Sequence, residues 1–351
     1  MILATMKRAF VLNANLYLCN LSEQKSCINN NSIITMDLEE LRRYLSKTID
    51  DINEKGGANS IDDLNKMLGE KMTTINSRPV ADFEGLSPDK MHQLLHFPLG
   101  EASPIRLKLL SAEQYHQIPL FNQVLWLLRE IEGAGGIKLT QAGYLPVRVV
   151  KDLYAQGFIT DNYVELGHQK LNKEMDSRSV HMTRILVELS GLVRKQHGKL
   201  VLVKSKMNIV NNNKALFDVI FHTFTEKFSW AYLDMYHSEQ FAQFGWGFSV
   251  FLLSKFGDVE RDAAFYAKKY IKAFPMLIND FGGVYMSPEE MAVHAYTYRT
   301  FELFLNYFGL VELRPHGGTS FLPETYFVKK TPLVEMITES RERGAGSGER
   351  E

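Results

Sequence analysis

The stretch Gly136-Ile-Lys-Leu-Thr-Gln-Ala-Gly-Tyr-Leu-Pro-Val-Arg-Val-Val-Lys-Asp-Leu-Tyr154 holds the change of period on which the fold turns. Ile137 to Thr140 alternates apolar and polar residues, as a short strand does. Gly143 then turns the chain. Pro146 opens a helix in which Val147, Val150 and Leu153 face inward while Arg148, Lys151 and Asp152 face out. Upstream, Pro119 begins an amphipathic helix with Phe121, Val124, Leu125, Leu128 and Ile131 on one face, closed by glycines at 133, 135 and 136. Downstream, the spacing predicts a helix from Arg178 to Lys195 with Met182, Ile185, Leu189 and Val193 inward. Gly198 and the β-rich run Leu200-Val201-Leu202-Val203 follow it. Helix, strand, helix, helix, strand and turn in this order predict a winged helix, a helix-turn-helix resting against a small hairpin.

A similar closing phrase returns near the C-terminus. Tyr298, Phe301, Phe304 and Phe308 form a helical stripe running into Gly309-Leu310-Val311, as the earlier helix runs into Gly191-Leu192-Val193. In both places a polar, Gly-containing stretch and an apolar strand follow, ending at Val203-Lys204 and at Val328-Lys329. Two related units explain the match; a single winged helix with an unrelated C-terminal hairpin is the alternative. The fold class expected is therefore mainly α, with tandem winged-helix-like units, small β wings and a helical middle segment.

The remaining boundaries follow from pattern and composition. Residues 1–35 lack a sustained period and are expected to be poorly ordered. Residues 36–118 read as a helical N-terminal region: a stripe of Leu41, Leu45, Ile49 and Ile52, a second helix capped by Ser60, and a third with Ser87 as N-cap and Pro88 at its first position. The winged-helix-like unit spans 119–210 and an aromatic-rich helical segment 211–297. In the latter, Phe217, Phe221, Phe224 and Phe228 recur at helical spacing, followed by Trp230, Tyr232, Phe241, Phe244, Trp246, Phe248 and Phe251. Core packing explains such a run, because aromatic side chains bury the most area per residue; a ligand cleft or a dimer face is the alternative. Residues 298–337 are the C-terminal half of the second unit. The tail 338–351 lacks apolar anchors and is expected to be disordered.

The block at 136–154, preceded by Phe83-Glu-Gly-Leu-Ser-Pro88, resembles a family of uncharacterised bacterial and plasmid-borne proteins with a Leu-Thr-x-x-Gly-x-Leu-Pro block. Similar blocks open winged-helix units attached to some helicases. The resemblance covers about a fifth of the chain. It implies a winged-helix-like fold and no activity, and no helicase motor accompanies the block here.

Composition narrows the function class. The 351 residues are 45% hydrophobic and 23% charged with a formal net charge of -1, which excludes disordered and fibrous classes. Cys19 and Cys27 are the only cysteines, so neither a disulfide framework nor a thiolate metal site is expected, and a reducing cytoplasm fits. The apolar window from Gln240 to Ser254 is shorter than a bilayer requires and reads as a buried helix; the N-terminus does not fit a signal peptide. No membrane, cofactor or metal is expected. His92 and His96 stand four apart, but Gln93 replaces the glutamate that a zinc protease would need. Gly133-Ala-Gly-Gly-Ile-Lys138 lacks the Gly-Lys-Ser/Thr ending of a phosphate loop and reads as a helix C-cap. Glu23-Gln24-Lys25 precedes Pro88-Asp89, the wrong order for a nuclease of the Pro-Asp, Asp/Glu-x-Lys class, and Ser249 lies outside a Gly-x-Ser-x-Gly elbow.

Charge distribution is the strongest chemical signal. Between 168 and 206 stand nine basic residues, Lys170, Lys173, Arg178, Arg184, Arg194, Lys195, Lys199, Lys204 and Lys206, against three acidic ones, Glu174, Asp176 and Glu188. Cations on a recognition helix and wing would face a phosphate backbone and release its counterions. The candidate nucleic-acid-binding residues are Arg148, Lys151, Arg178, Arg184, Arg194, Lys195, Lys199, Lys204 and Lys206. The function expected is non-catalytic binding of nucleic acid, duplex DNA first, through a basic helix and wing. A protein-interaction scaffold meeting an acidic protein surface is the main alternative, and an enzyme of unrecognised type a further one. A solvated face laced by pairs such as Arg184 with Glu188 would explain the same charges without a partner. The sequence leaves a homo-oligomer open.

Overall fold

A computed structural model describes residues 60–340, apart from 235, 237, 283–285 and 319–324, together with 46 and 50. The segment 1–35, nearly all of the helix expected over 38–52, and the tail beyond 340 lie outside the described residues. Helix α1, Ile61–Asn76, begins where the Ser60 hydroxyl accepts the Asp63 N–H at 3.1 Å. Helix α2, Pro88–His96, begins likewise on Ser87, which accepts the Lys90 N–H at 3.3 Å. After strand β1, Ile105–Leu107, helix α3 runs Pro119–Gly133 and buries Phe121, Val124, Leu128 and Ile131, with Leu125 half-buried.

Strand β2, Ile137–Lys138, leads to helix α4, Val147–Tyr154. Pro146 flanks this helix rather than opening it, so Val149, Val150 and Leu153 face the core and Val147, expected inward, is exposed. Helix α5, Arg178–Leu189, stops short of Lys195. Gly191 takes a φ of 72°, left-handed backbone that ends a helix. The chain beyond it becomes strand β3, Val193–Gln196, which leaves Leu189 exposed and moves Arg194 and Lys195 from helix to sheet. Strand β4, Lys199–Leu202, returns through His197 (φ 49°) and Gly198 (φ 71°), a two-residue turn with both φ positive, as the twist of a hairpin favours. The three strands form an antiparallel sheet in the order β2-β4-β3.

Helix α6, Asn213–His222, passes into a π-helical turn at Thr223–Lys227 and then a 3-10 turn at Trp230–Leu233. The window expected to be a buried helix from 240 becomes helical only at α7, Trp246–Phe256, which is buried through Leu253. Strand β5, Arg261–Asp262, precedes helix α8, Ala263–Ala273. Helix α9, Pro288–Tyr296, continues as a π-helix over Thr297–Leu305. The hairpin of β6, Val311–His316, and β7, Thr325–Lys330, completes a second sheet ordered β5-β7-β6. Its third strand thus comes from residues 261–262, inside the stretch that composition assigned to the middle segment; two residues are too few for a period to show.

The chain is mainly α with small antiparallel sheets. Helix, strand, helix, helix and hairpin occur in the same order from α3 to β4 and from α7 to β7, and both sheets place the last strand in the middle. A further strand, β8, Thr338–Ser340, pairs antiparallel with β1, with Ile105 opposite Ser340 and Leu107 opposite Thr338. These three residues were expected to start a disordered tail; backbone pairing needs no apolar anchor.

One contiguous set of buried side chains runs from Phe83 to Val334. Aromatic rings from distant segments meet in it: Trp230 and Phe304 at 4.9 Å, Phe221 and Phe308 at 5.1 Å, Phe224 and Phe308 at 5.3 Å between centroids. Tyr232 is the exposed member of the aromatic run. Helix α5 is buried from Ser179 to Arg184 and again at Leu186 and Val187, packed against α3, α4, β3 and the π turn at 223–227. No helix among the described residues is long and apolar enough to cross a membrane.

Candidate nucleic-acid interface

The sheet β2-β4-β3 has a core face and a solvent face. Pairing places Ile137 opposite Leu200 and Val193 opposite Leu202, so these four residues cover the core. The intervening positions point outward: Lys138 lies opposite Lys199, Gln196 flanks Lys199 on the other side, and Arg194 lies opposite Val201. Lys138, Arg194 and Lys199 are all exposed, and none forms an ion pair with a described residue. The Arg194 guanidinium donates to the Gln196 side chain at 3.0 Å. Just past β4, a 3-10 turn presents Lys204 and Lys206, both exposed and likewise without an ion pair to a described residue. Lys151 is exposed on the outer side of α4.

The other candidate cations each contact a group of the protein itself, three of them a carboxylate. Arg184 is buried, with Nε 2.6 Å from Glu174 Oε1 and Nη1 at Glu188. Burial works against its charge, but the two carboxylates outweigh it and hold the guanidinium above its ordinary range. Arg148 bridges Glu130 at 3.0 Å and Asp152 at 2.8 Å, and the Glu130 hydrogen bond leads in raising its pKa. Lys195 sits on the core face at the edge of the sheet and reaches back to Glu188 at 3.2 Å. Arg178 sets its guanidinium 5.0 Å from the centre of the Tyr298 ring. The structure thus brings Arg194 and Lys199 together with Lys138, a residue outside the basic stretch counted from 168. The alternation Ile137-Lys138-Leu139 already turned Lys138 outward; its neighbour across the sheet became visible only with the β2–β4 pairing.

The corresponding face of the second sheet is balanced. Glu312 lies opposite Lys329, and Arg314 makes a two-pronged contact with Glu260 at 3.0 and 2.6 Å. No group of three or more potential ligands among the described residues could hold a metal ion. The rings of His92 and His96 lie 4.5 Å apart on α2. Compared with protein-family models, curated proteins and solved structures, the chain gives no match.

Proposed function

We propose that this chain binds nucleic acid by its phosphate backbone, and that its two repeated sets of elements are tandem winged-helix-like units of which the first carries the contact. The strand orders and the resemblance of residues 136–154 support the architecture. One observation carries the function: the solvent face of β2-β4-β3 sets Lys138 against Lys199 beside Arg194, where the equivalent face of the other sheet sets Glu312 against Lys329. Like charges directly opposite destabilise a sheet, so a cationic row without an ion pair to any described residue is best explained by an anion that covers it.

The third helix of a winged helix ordinarily supplies groove contacts. Here α5 is buried, so the reading assigns the contact to the wing, with Lys204, Lys206 and Lys151 extending it. Phosphate contacts position a protein without specifying bases, and the affinity should therefore depend weakly on sequence and strongly on salt. Salt-titrated binding to duplex DNA, single-stranded DNA and RNA tests it, with duplex DNA expected to bind best.

The scaffold reading also has an observation in its favour. A cleft of 390 Å³ is lined by Phe97, Leu99, Phe221 and Trp246, and Phe97 is 57% exposed. Apolar surface of this kind suits a protein partner. That reading takes over if no nucleic acid binds at about 50 mM salt, where electrostatic binding is strong.

A further inference from the structure

Glu174, His181 and Tyr232 form a chain of hydrogen bonds from the core to the surface. Glu174 is fully buried and accepts three donors at 2.6 Å each: the Leu145 N–H, His181 Nδ1 and Arg184 Nε. With Nδ1–H committed to the carboxylate, His181 presents the lone pair of Nε2, which lies 3.3 Å from the phenol oxygen of Tyr232. His181 is 2% exposed and Tyr232 58% exposed. Tyr232 stands out from a 3-10 turn whose Trp230 is completely buried, so the turn is anchored while the phenol is open to solvent. Carboxylate, imidazole and hydroxyl follow in the order that activates an oxygen nucleophile.

A cation stands beside this chain. Arg178 lies three residues before His181 on α5, hence on the same face. Its guanidinium stacks on Tyr298, whose hydroxyl donates to the Leu233 carbonyl at 3.4 Å, next to Tyr232. The Arg178 residue is exposed although its guanidinium lies over the Tyr298 ring; a guanidinium at that place selects an anionic electrophile, and its geometry suits phosphate.

We propose that Tyr232 is an oxygen nucleophile toward phosphodiesters, with His181 as general base, Glu174 as a positioning residue and Arg178 as the anchor for the phosphate charge. This goes beyond backbone binding by the wing and does not depend on it. The phenol oxygen attacks phosphorus while its proton passes to His181 Nε2. The bond from phosphorus to the leaving oxygen breaks, and the imidazolium returns the proton to that oxygen. One P–O bond forms and one breaks, giving a phosphodiester on Tyr232 and a free hydroxyl, with no change of oxidation state. Glu174 stabilises the imidazolium without taking its proton.

The test uses the full chain with bis(4-nitrophenyl) phosphate. The expected result is a burst of about one equivalent of 4-nitrophenolate, with the phosphoryl adduct mapped to Tyr232 by mass spectrometry. Tyr232→Phe should abolish the adduct, and this variant loses only a surface hydroxyl. His181→Gln should slow the burst by about 100-fold or more. Arg178→Gln should raise the half-saturating concentration while the adduct stays on Tyr232. Glu174→Gln should lower the burst rate without moving half-saturation, a split that general loosening of the fold would not give. The proposal is overturned if the wild-type chain carries no adduct on Tyr232, or if Tyr163, 43% exposed, is modified as fast. Both readouts come from the wild-type protein and stand even where a buried-site variant does not fold.

Discussion

Lys138 lies directly opposite Lys199 across the β2–β4 ladder, both exposed, with neither forming an ion pair to a described residue. The arrangement works against the fold, since directly opposed like charges destabilise a strand pair. Lys199→Glu should therefore stabilise the protein by up to about 1 kcal/mol while weakening nucleic-acid binding. Urea unfolding with an unchanged m-value measures the first effect. A loss of stability in this variant would show that the lysine pair is not a strained feature.

Arg184 has the opposite character. Replacing it by Leu leaves the buried Glu174 without its guanidinium and should destabilise the protein by about 3–5 kcal/mol, whereas Lys204→Ala should stay within about 0.5 kcal/mol. Equal effects at the two positions, read by thermal or urea unfolding, would contradict the division between committed and solvent-facing cations.

Glu302 governs a pH dependence. Burial raises its carboxyl from 4.5 to about 7, against the Tyr326 hydroxyl at 3.2 Å and the nearby Arg178, which favour the charged form. The folded state therefore retains a proton that the unfolded chain releases. Its stabilising contribution is complete below about pH 4.5 and is lost as pH rises through about 7, a change of about 3 kcal/mol. Glu302→Gln, which stays neutral, should match the wild type near about pH 4 and exceed its stability above about pH 7. Parallel stability–pH curves for the two proteins would contradict the assignment.

Gly143 takes a φ of 81° in the turn closed by its N–H on the Thr140 carbonyl at 2.9 Å. A Cβ added there would meet no atom within 4 Å, so the cost of adding one lies in the backbone. Gly143→Val should cost about 1–3 kcal/mol, measured by urea unfolding; unchanged stability would remove the strained turn.

The helix boundaries legible in the sequence were those set by local chemistry. Ser60, Ser87 and Pro119 mark starts because a cap or a fixed φ acts within a few residues. The end of α5 was misread because Leu189 and Val193 keep helical spacing through Gly191, and the preference of a hairpin for residues 193–202 outweighs it. The site was half legible. Counting charge found Arg194 and Lys199 but also Arg184, since composition cannot tell a solvent-facing guanidinium from one held by Glu174. Lys138, and the link from Glu174 through His181 to Tyr232, depend on contacts between residues far apart in the chain, which no local pattern encodes.

The central claim is that the solvent face of β2-β4-β3 meets phosphate, and the salt dependence of duplex DNA binding tests it most directly. Lys138→Ala and Lys199→Ala should each flatten the log-log salt slope by about 0.9 per lost phosphate contact. Lys329→Ala, on the balanced second sheet, should leave the slope unchanged. Slopes that do not distinguish Lys138 and Lys199 from Lys329, or a wild-type protein without salt-dependent binding, would contradict the account.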